Sequence, residues 1–164
     1  MITIGRQTDY AARIVLHLAS AEGEGMVTAS EIAARRLIPP AFIRRIVTRL
    51  SQAGILRTVR GSGGGIALAR AASEITLKQV VEAMEGPIAL NACLVTGSEC
   101  PLAEACPVQE AWAEGTRNLS NYLDDIRFDG LASRLGGDRK RGRGKPPAAK
   151  GQAKGRRARR TRTD

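Results

Sequence analysis

The stretch from Pro39 to Arg70, PPAFIRRIVTRLSQAGILRTVRGSGGGIALAR, decides the fold. Pro39 and Pro40 suit the start of a helix, where a missing amide donor costs little, and Gly54 suits its end as a left-handed cap before Ile55. Between them Phe42, Ile43, Ile46, Val47 and Leu50 recur at helical spacing as one apolar stripe, while Ala41, Arg44, Arg45, Thr48 and Ser51 fall on the other side. Two strand-like runs follow, Ile55 to Arg60 and Ile66 to Arg70, joined by GSGGG at 61–65, which reads as a β-hairpin with a flexible tip. A nucleotide-binding loop does not fit these glycines: no Lys-Ser/Thr follows, and the next element is a strand rather than a helix. A helix presenting Arg and Thr, then a hairpin with Arg57 and Arg60 at the base of its tip, predicts a winged helix. Its third helix would read a major groove, an Arg would enter a minor groove, and glycine amides would approach phosphates.

Upstream, Tyr10, Ala11, Ile14, Val15 and Leu18 place a first helix at about Arg6 to Ala21, and Thr28 with Glu31 forms the capping-box signature of a short second helix through Arg36. Downstream, Thr76 and Gln79 do the same for a helix through Met84, stopped by Gly86 and Pro87. From about Val108 to Arg127 a longer helix carries Ala111, Trp112, Leu119, Tyr122, Leu123 and Ile126 on or near one face. It is too long for the core that remains, so it is expected to pack against a second copy of itself, as dimers that read two half-sites do. Phe128 to Leu135 is expected to add a last turn capped by Asp129.

The expected class is mainly α with a small β-hairpin wing: a winged helix-turn-helix DNA-binding domain at 1–86, a cysteine-bearing loop at 87–107, a dimerisation helix at 108–135 and a disordered basic tail at 136–164. Thr28, Ser30, Ala41, Arg44, Arg45, Thr48, Arg49, Arg57, Arg60, Ser62 and Gly63 are the expected DNA-contacting residues. Charge agrees with this division. Residues 1–70 carry ten Lys and Arg against four acids, residues 71–135 four against ten, and residues 136–164 twelve against two, so a polyanion partner is expected for the front half. The tail has no aliphatic side chain larger than Ala, and it is expected either to add salt-sensitive, sequence-independent DNA affinity or only to solubilise. With no apolar run near the roughly 18 residues that span a bilayer and no signal-peptide pattern, a cytoplasmic protein is expected.

All three cysteines fall in NACLVTGSECPLAEACP, residues 91–107, as Cys93, Cys100 and Cys106, with gaps of six and five residues. In a reducing compartment an odd cluster of thiols points to a metal or redox role rather than to a disulfide framework. Three thiolates on a loop with Gly97 and two Cys-Pro steps can converge on one inorganic centre, of which an iron-sulfur cluster is one reading. Structural zinc favours closely spaced pairs and four protein ligands, and a thiol redox switch is the third reading. Enzymatic chemistry is not expected, because no cysteine pair is close, no base is near, and the only histidine, His17, is remote.

The combination of RQTDYAARIVLHLA, IPPAFIRRIVTRLSQAGIL, VRGSGGGIALAR and a cysteine triplet before a long helix resembles the IscR/NsrR-type (Rrf2) winged-helix transcription regulators of bacteria, over residues 1 to about 135. The resemblance implies a homodimer on double-stranded promoter DNA, Arg60 as the minor-groove arginine, and an iron-sulfur cluster, [2Fe-2S] or [4Fe-4S], on Cys93, Cys100 and Cys106. It implies that the state of the cluster, altered by nitric oxide, iron or redox conditions, controls binding, most simply as a repressor. Where the cluster-assembly regulators place a His ligand, this chain has Gln109. The nitric oxide sensing branch uses an Asp at the start of the first helix, from the partner subunit, and Asp9 matches that position. The first cysteine gap is six residues where the family commonly has five. The alternative expectation is a winged-helix regulator controlled by a small metabolite or partner protein, without a cluster.

Overall fold

The computed structural model describes residues 3–61, 63–95 and 105–141. Three helices come first: α1 (Arg6–Ser20), α2 (Ala29–Arg36) and α3 (Pro40–Gln52). The two strands β1 (Leu56–Val59) and β2 (Gly65–Leu68) follow, then α4 (Leu77–Glu85), α5 (Pro107–Asp125) and α6 (Phe128–Arg141). Short 3-10 turns at Ala72–Glu74 and Ala92–Leu94 precede α4 and α5.

The helix ends follow from local chemistry. Thr28 accepts from the Glu31 amide at 3.2 Å to start α2, but the returning arm of the expected box does not form, because the Glu31 carboxylate pairs with Arg35 at 3.0 Å. At α4 both arms form between Thr76 and Gln79. α3 begins on Pro40 and closes with Gly54 at φ +69°, the Ile55 amide reaching back to the Leu50 carbonyl at 2.9 Å and the Gly54 amide to Ser51 at 3.0 Å. This pairing satisfies two terminal carbonyls and buries Ile55. α1 has no side-chain cap of its own; Glu85, at the end of α4, accepts both the Gly5 amide at 3.1 Å and the Thr8 hydroxyl, setting a carboxylate at the positive end of the helix.

β1 and β2 pair antiparallel, Leu56 opposite Leu68 and Val59 opposite Gly65. Val27 adds a bridge to Ile66, with backbone bonds of 3.0 and 2.8 Å. At the tip a Cβ on Gly64 would lie 2.2 Å from the Val59 carbonyl oxygen, so only glycine fits. The wholly buried core is aliphatic, as 3% aromatic content predicts, with Ile14, Ile32, Ile46, Leu50, Ile55 and Ile75 at its centre, and Phe128 as its largest member.

The C-terminal part differs from expectation. Phe128–Leu135 is not a last turn: α6 runs to Arg141 and packs along α1 and the Ala72–Glu74 turn, with Leu131 and Ala132 against the core behind Phe128. A docked helix needs only propagation, not nucleation, to continue. It therefore passes Gly136 and Gly137, where disorder was expected to begin; the rest of the expected tail, 142–164, lies outside the described residues. α5 and α6 meet at Ile126 in a backbone clip. The Leu77 amide donates to the Ile126 carbonyl at 2.8 Å and the Phe128 amide to the Ile75 carbonyl at 3.1 Å. The Thr76 hydroxyl adds a bond to Asp124 at 3.0 Å, and Arg127 one to the Ser73 carbonyl at 2.8 Å. α5 buries none of its own residues within the chain, leaving Val108, Trp112 and Tyr122 59%, 38% and 64% exposed.

Candidate nucleic-acid interface and cysteine site

Because Ile43, Ile46, Val47 and Leu50 face the core, the opposite side of α3 is turned outward. There it forms one wall of an open cleft of about 840 Å³, whose other wall is the wing. Thr28 and Ser30 at the start of α2, Arg44 and Thr48 on α3, and Val59, Gly61 and Gly64 at the wing tip all line it. Ala41 and Arg45 are exposed on α3 beside it, and Arg60 is exposed at the tip. Arg44, Arg45 and Arg60 have no acidic partner among the described residues; the ion pairs there are Arg13 with Asp9 and Arg35 with Glu31. The Thr48 hydroxyl donates to the Arg44 carbonyl at 2.9 Å. Gly61 and Gly63 take φ of +103° and +81°, which turns the tip tightly; Ser62 lies outside the described residues.

Two of the expected contact residues are held elsewhere. Arg57 is on the far face of the wing, because side chains alternate along a strand; its Nε donates to the Leu68 carbonyl at 3.2 Å, and it lines a second hollow with Leu18, Glu22 and Arg70. Arg49 turns inward, its Nη1 donating to the Met84 carbonyl at the end of α4 at 2.6 Å. Arg49→Met keeps the apolar stem but removes a charged donor from a helix C-terminus. It is expected to lower stability by about 1–2 kcal/mol in urea unfolding. Sequence reading missed Thr58, which strand alternation turns toward the cleft, and Val59 and Gly64, which line it where the strand enters the tip.

Cys93 sits in the Ala92–Leu94 turn, where the Asn91 side chain accepts its amide at 3.3 Å, and Cys106 is the residue capping α5. The two segments pack together. The approach is set by the Leu90 amide, which donates to Thr116 Oγ1 at 3.1 Å, and by Gly115, where a Cβ would meet Leu90 Cδ1 at 2.9 Å. Both thiols are half-buried and are not joined to each other. A hollow of about 460 Å³ beside them is lined by Leu94, Cys106, Gln109, Glu110 and Ala113. Glu110, four residues after Cys106, joins this lining without having been anticipated, although helical spacing could have signalled it. Cys100 lies outside the described residues, and among the described residues no three His, Cys, Asp or Glu side chains stand together as a metal site. Asp9 is in the first turn of α1, paired with Arg13 at 2.6 Å and away from the hollow within one chain. His17 is buried in α1, as a packing residue would be. The donor set suits iron in kind, since two thiols on adjoining segments are soft anionic ligands when ionised.

Comparison with known proteins places these features in context. A family model described as an iron-dependent transcriptional regulator, Rrf2, matches residues 4–134. The chain is 35% identical over 127 residues to protein aau3 of Rhizobium meliloti, covering 77% of this chain and 82% of the relative. To the HTH-type transcriptional regulator NsrR of Geobacillus kaustophilus it is 33% identical over 118 residues, covering 71% and 80%. Among solved structures, CymR, the global cysteine regulator of B. subtilis, superposes with a TM-score of 0.68 at 26% identity over 82% of this chain and 98% of its own. No helix among the described residues is long and apolar enough to cross a membrane. With a mostly helical body, a two-stranded wing and a cleft that Arg44 lines with Arg45 and Arg60 exposed beside it, the chain belongs to the Rrf2 family of winged-helix, DNA-binding transcription regulators rather than to a family of enzymes.

Proposed function

We propose that two copies of this chain, joined through α5, bind a promoter operator as a repressor, and that an iron-sulfur cluster on Cys93, Cys100 and Cys106 controls the binding. The observation that carries the DNA-binding mode is the meeting of Arg44, Thr48 and the wing tip on one cleft, with Arg45 and Arg60, unpaired among the described residues, beside it. Thr28, Ser30, Ala41, Ser62 and Gly63 complete the contact set, while Arg49 holds α3 to α4 behind it and Arg57 lies on the far face of the wing. The exposed apolar side chains of α5 support a second copy as its partner, since a helix with an apolar stripe is stable in water only when that stripe is covered. Asp9 of a second copy would supply the fourth cluster ligand. The cluster, when bound, supplies a tie between the Cys93 turn and α5 that nitric oxide, oxygen or iron loss can cut.

Anaerobic purification tests the cluster directly. The expected result is a coloured dimer carrying iron and sulfide, and Cys106→Ala is expected to abolish most of the visible absorbance and bound iron while leaving the helical circular dichroism intact. The likeness to a global cysteine regulator favours a second reading, in which a small metabolite or partner protein controls a cluster-free dimer. Colourless, iron-free protein whose operator affinity is unchanged by Cys106→Ala would establish that reading instead.

A further inference from the structure

We infer that Thr48 is a specificity-determining residue that reads the 5-methyl group of a thymine. The inference rests on the DNA-binding reading of the cleft and sharpens it. A threonine hydroxyl has one hydrogen to donate, and that of Thr48 is already given to the Arg44 carbonyl at 2.9 Å. Thr48 is therefore no donor to guanine O6 or N7, adenine N7 or thymine O4. What it offers a base edge is its methyl group, beside a hydroxyl oxygen that can now only accept, on an exposed residue that lines the cleft. The same bond fixes the side-chain rotamer, so the methyl is held in place before contact.

Ala41, seven residues earlier and exposed, repeats a bare methyl on the same stripe of α3. Arg44 and Arg45 lie between them, and both are unpaired among the described residues. On a major-groove edge the thymine methyl is the one apolar group, and guanine is the partner of a bidentate guanidinium. Arg44 and Thr48 are about 6 Å apart along the helix axis, close to two base steps of about 3.4 Å. The preferred half-site therefore carries an A·T pair, methyl toward the protein, about two steps from a G·C pair.

The test begins with duplexes recovered by in vitro selection on the full chain. The best duplex is resynthesised with uracil replacing thymine at one position at a time, and affinity is read by fluorescence anisotropy. Loss of one buried methyl should weaken wild-type binding about fourfold at one position in each half-site. Thr48→Val, which keeps the methyl and lacks the hydroxyl, should retain that discrimination. Thr48→Ser, which keeps the hydroxyl and lacks the methyl, should bind the thymine and uracil duplexes equally there. Equal binding of both duplexes by wild type at every position overturns the proposal, as does discrimination that survives Thr48→Ser but disappears in Thr48→Val. Either result leaves duplex binding itself intact. A selection that recovers no duplex overturns the DNA reading and this proposal with it.

Discussion

Phe128→Ala is expected to lower the free energy of unfolding by about 3–5 kcal/mol, the range for truncating a buried aromatic residue to alanine. Phe128 is 1% exposed and is the largest wholly buried side chain. It stands at the first position of α6, with its amide on the Ile75 carbonyl. Its ring holds α6 to the core beside α1, so the cavity left behind would have helices on several sides that cannot all collapse. Against a total of about 5–15 kcal/mol for an ordinary domain, such a loss leaves a protein near its threshold. Urea unfolding followed by circular dichroism should show the midpoint falling while the slope stays the same. A loss below about 1 kcal/mol would mean that α6 is an appendage and not part of the domain.

The largest functional effect is expected at the two arginines on either side of the cleft. Arg44→Ala and Arg60→Ala should each weaken binding to a selected duplex about tenfold to a hundredfold, the loss expected for a good arginine contact in a groove. The two should differ in kind. Arg44→Ala should relax base preference at a single position of each half-site, because it lies on the recognition helix. Arg60→Ala should reduce preference for a narrow, A·T-rich minor groove beside it. Arg57→Ala is the internal control, since its guanidinium is bonded to Leu68 on the opposite face of the wing; its effect should be under about threefold, within the usual range of a surface substitution. Anisotropy titrations at two salt concentrations separate these outcomes from general loss of phosphate contacts. Unchanged affinity in both Arg44→Ala and Arg60→Ala would place the interface elsewhere.

The helix-turn-helix and the wing were legible because periodicity and special residues agree there. The stripe from Phe42 to Leu50 fixes which side of α3 is buried, Gly54 ends the helix, and the 61–65 glycines force a turn. The full box at Thr76 and Gln79 shows the same agreement. Arg49 looks like Arg44 in sequence yet lies about 140° around the helix from it, toward α4, where its guanidinium meets the Met84 carbonyl. Arg57 and Arg60 look alike in sequence and separate only through strand register. α6 was hidden because Gly130, Gly136 and Gly137 weaken its local signal, and docking of Phe128 on the core outweighs that weakness. The three thiols were obvious, whereas the nearness of the Cys93 turn to α5 depends on Leu90 seating over Gly115, a tertiary fit that spacing does not encode.

The clip at Ile126 also sets how a local event at the thiols can be felt at a distance. Its two backbone bonds join the far end of α5 to the residues that open α4, and Cys106 stands at the other end of that 19-residue helix. Were the tie between Leu90 and Thr116 released, α5 would act as a lever arm about 28 Å long, hinged at that clip beside the DNA-reading body. A tilt of about 10° at the pivot sweeps the Cys106 end through roughly 5 Å, and in reverse a displacement of that size at the thiols is geared down to a small rotation. Gearing of this sort favours sensitivity to coarse changes, such as making or losing a bound centre, over graded response to small ones, and amide exchange at Leu77 and Phe128 is where the load on the pivot would register.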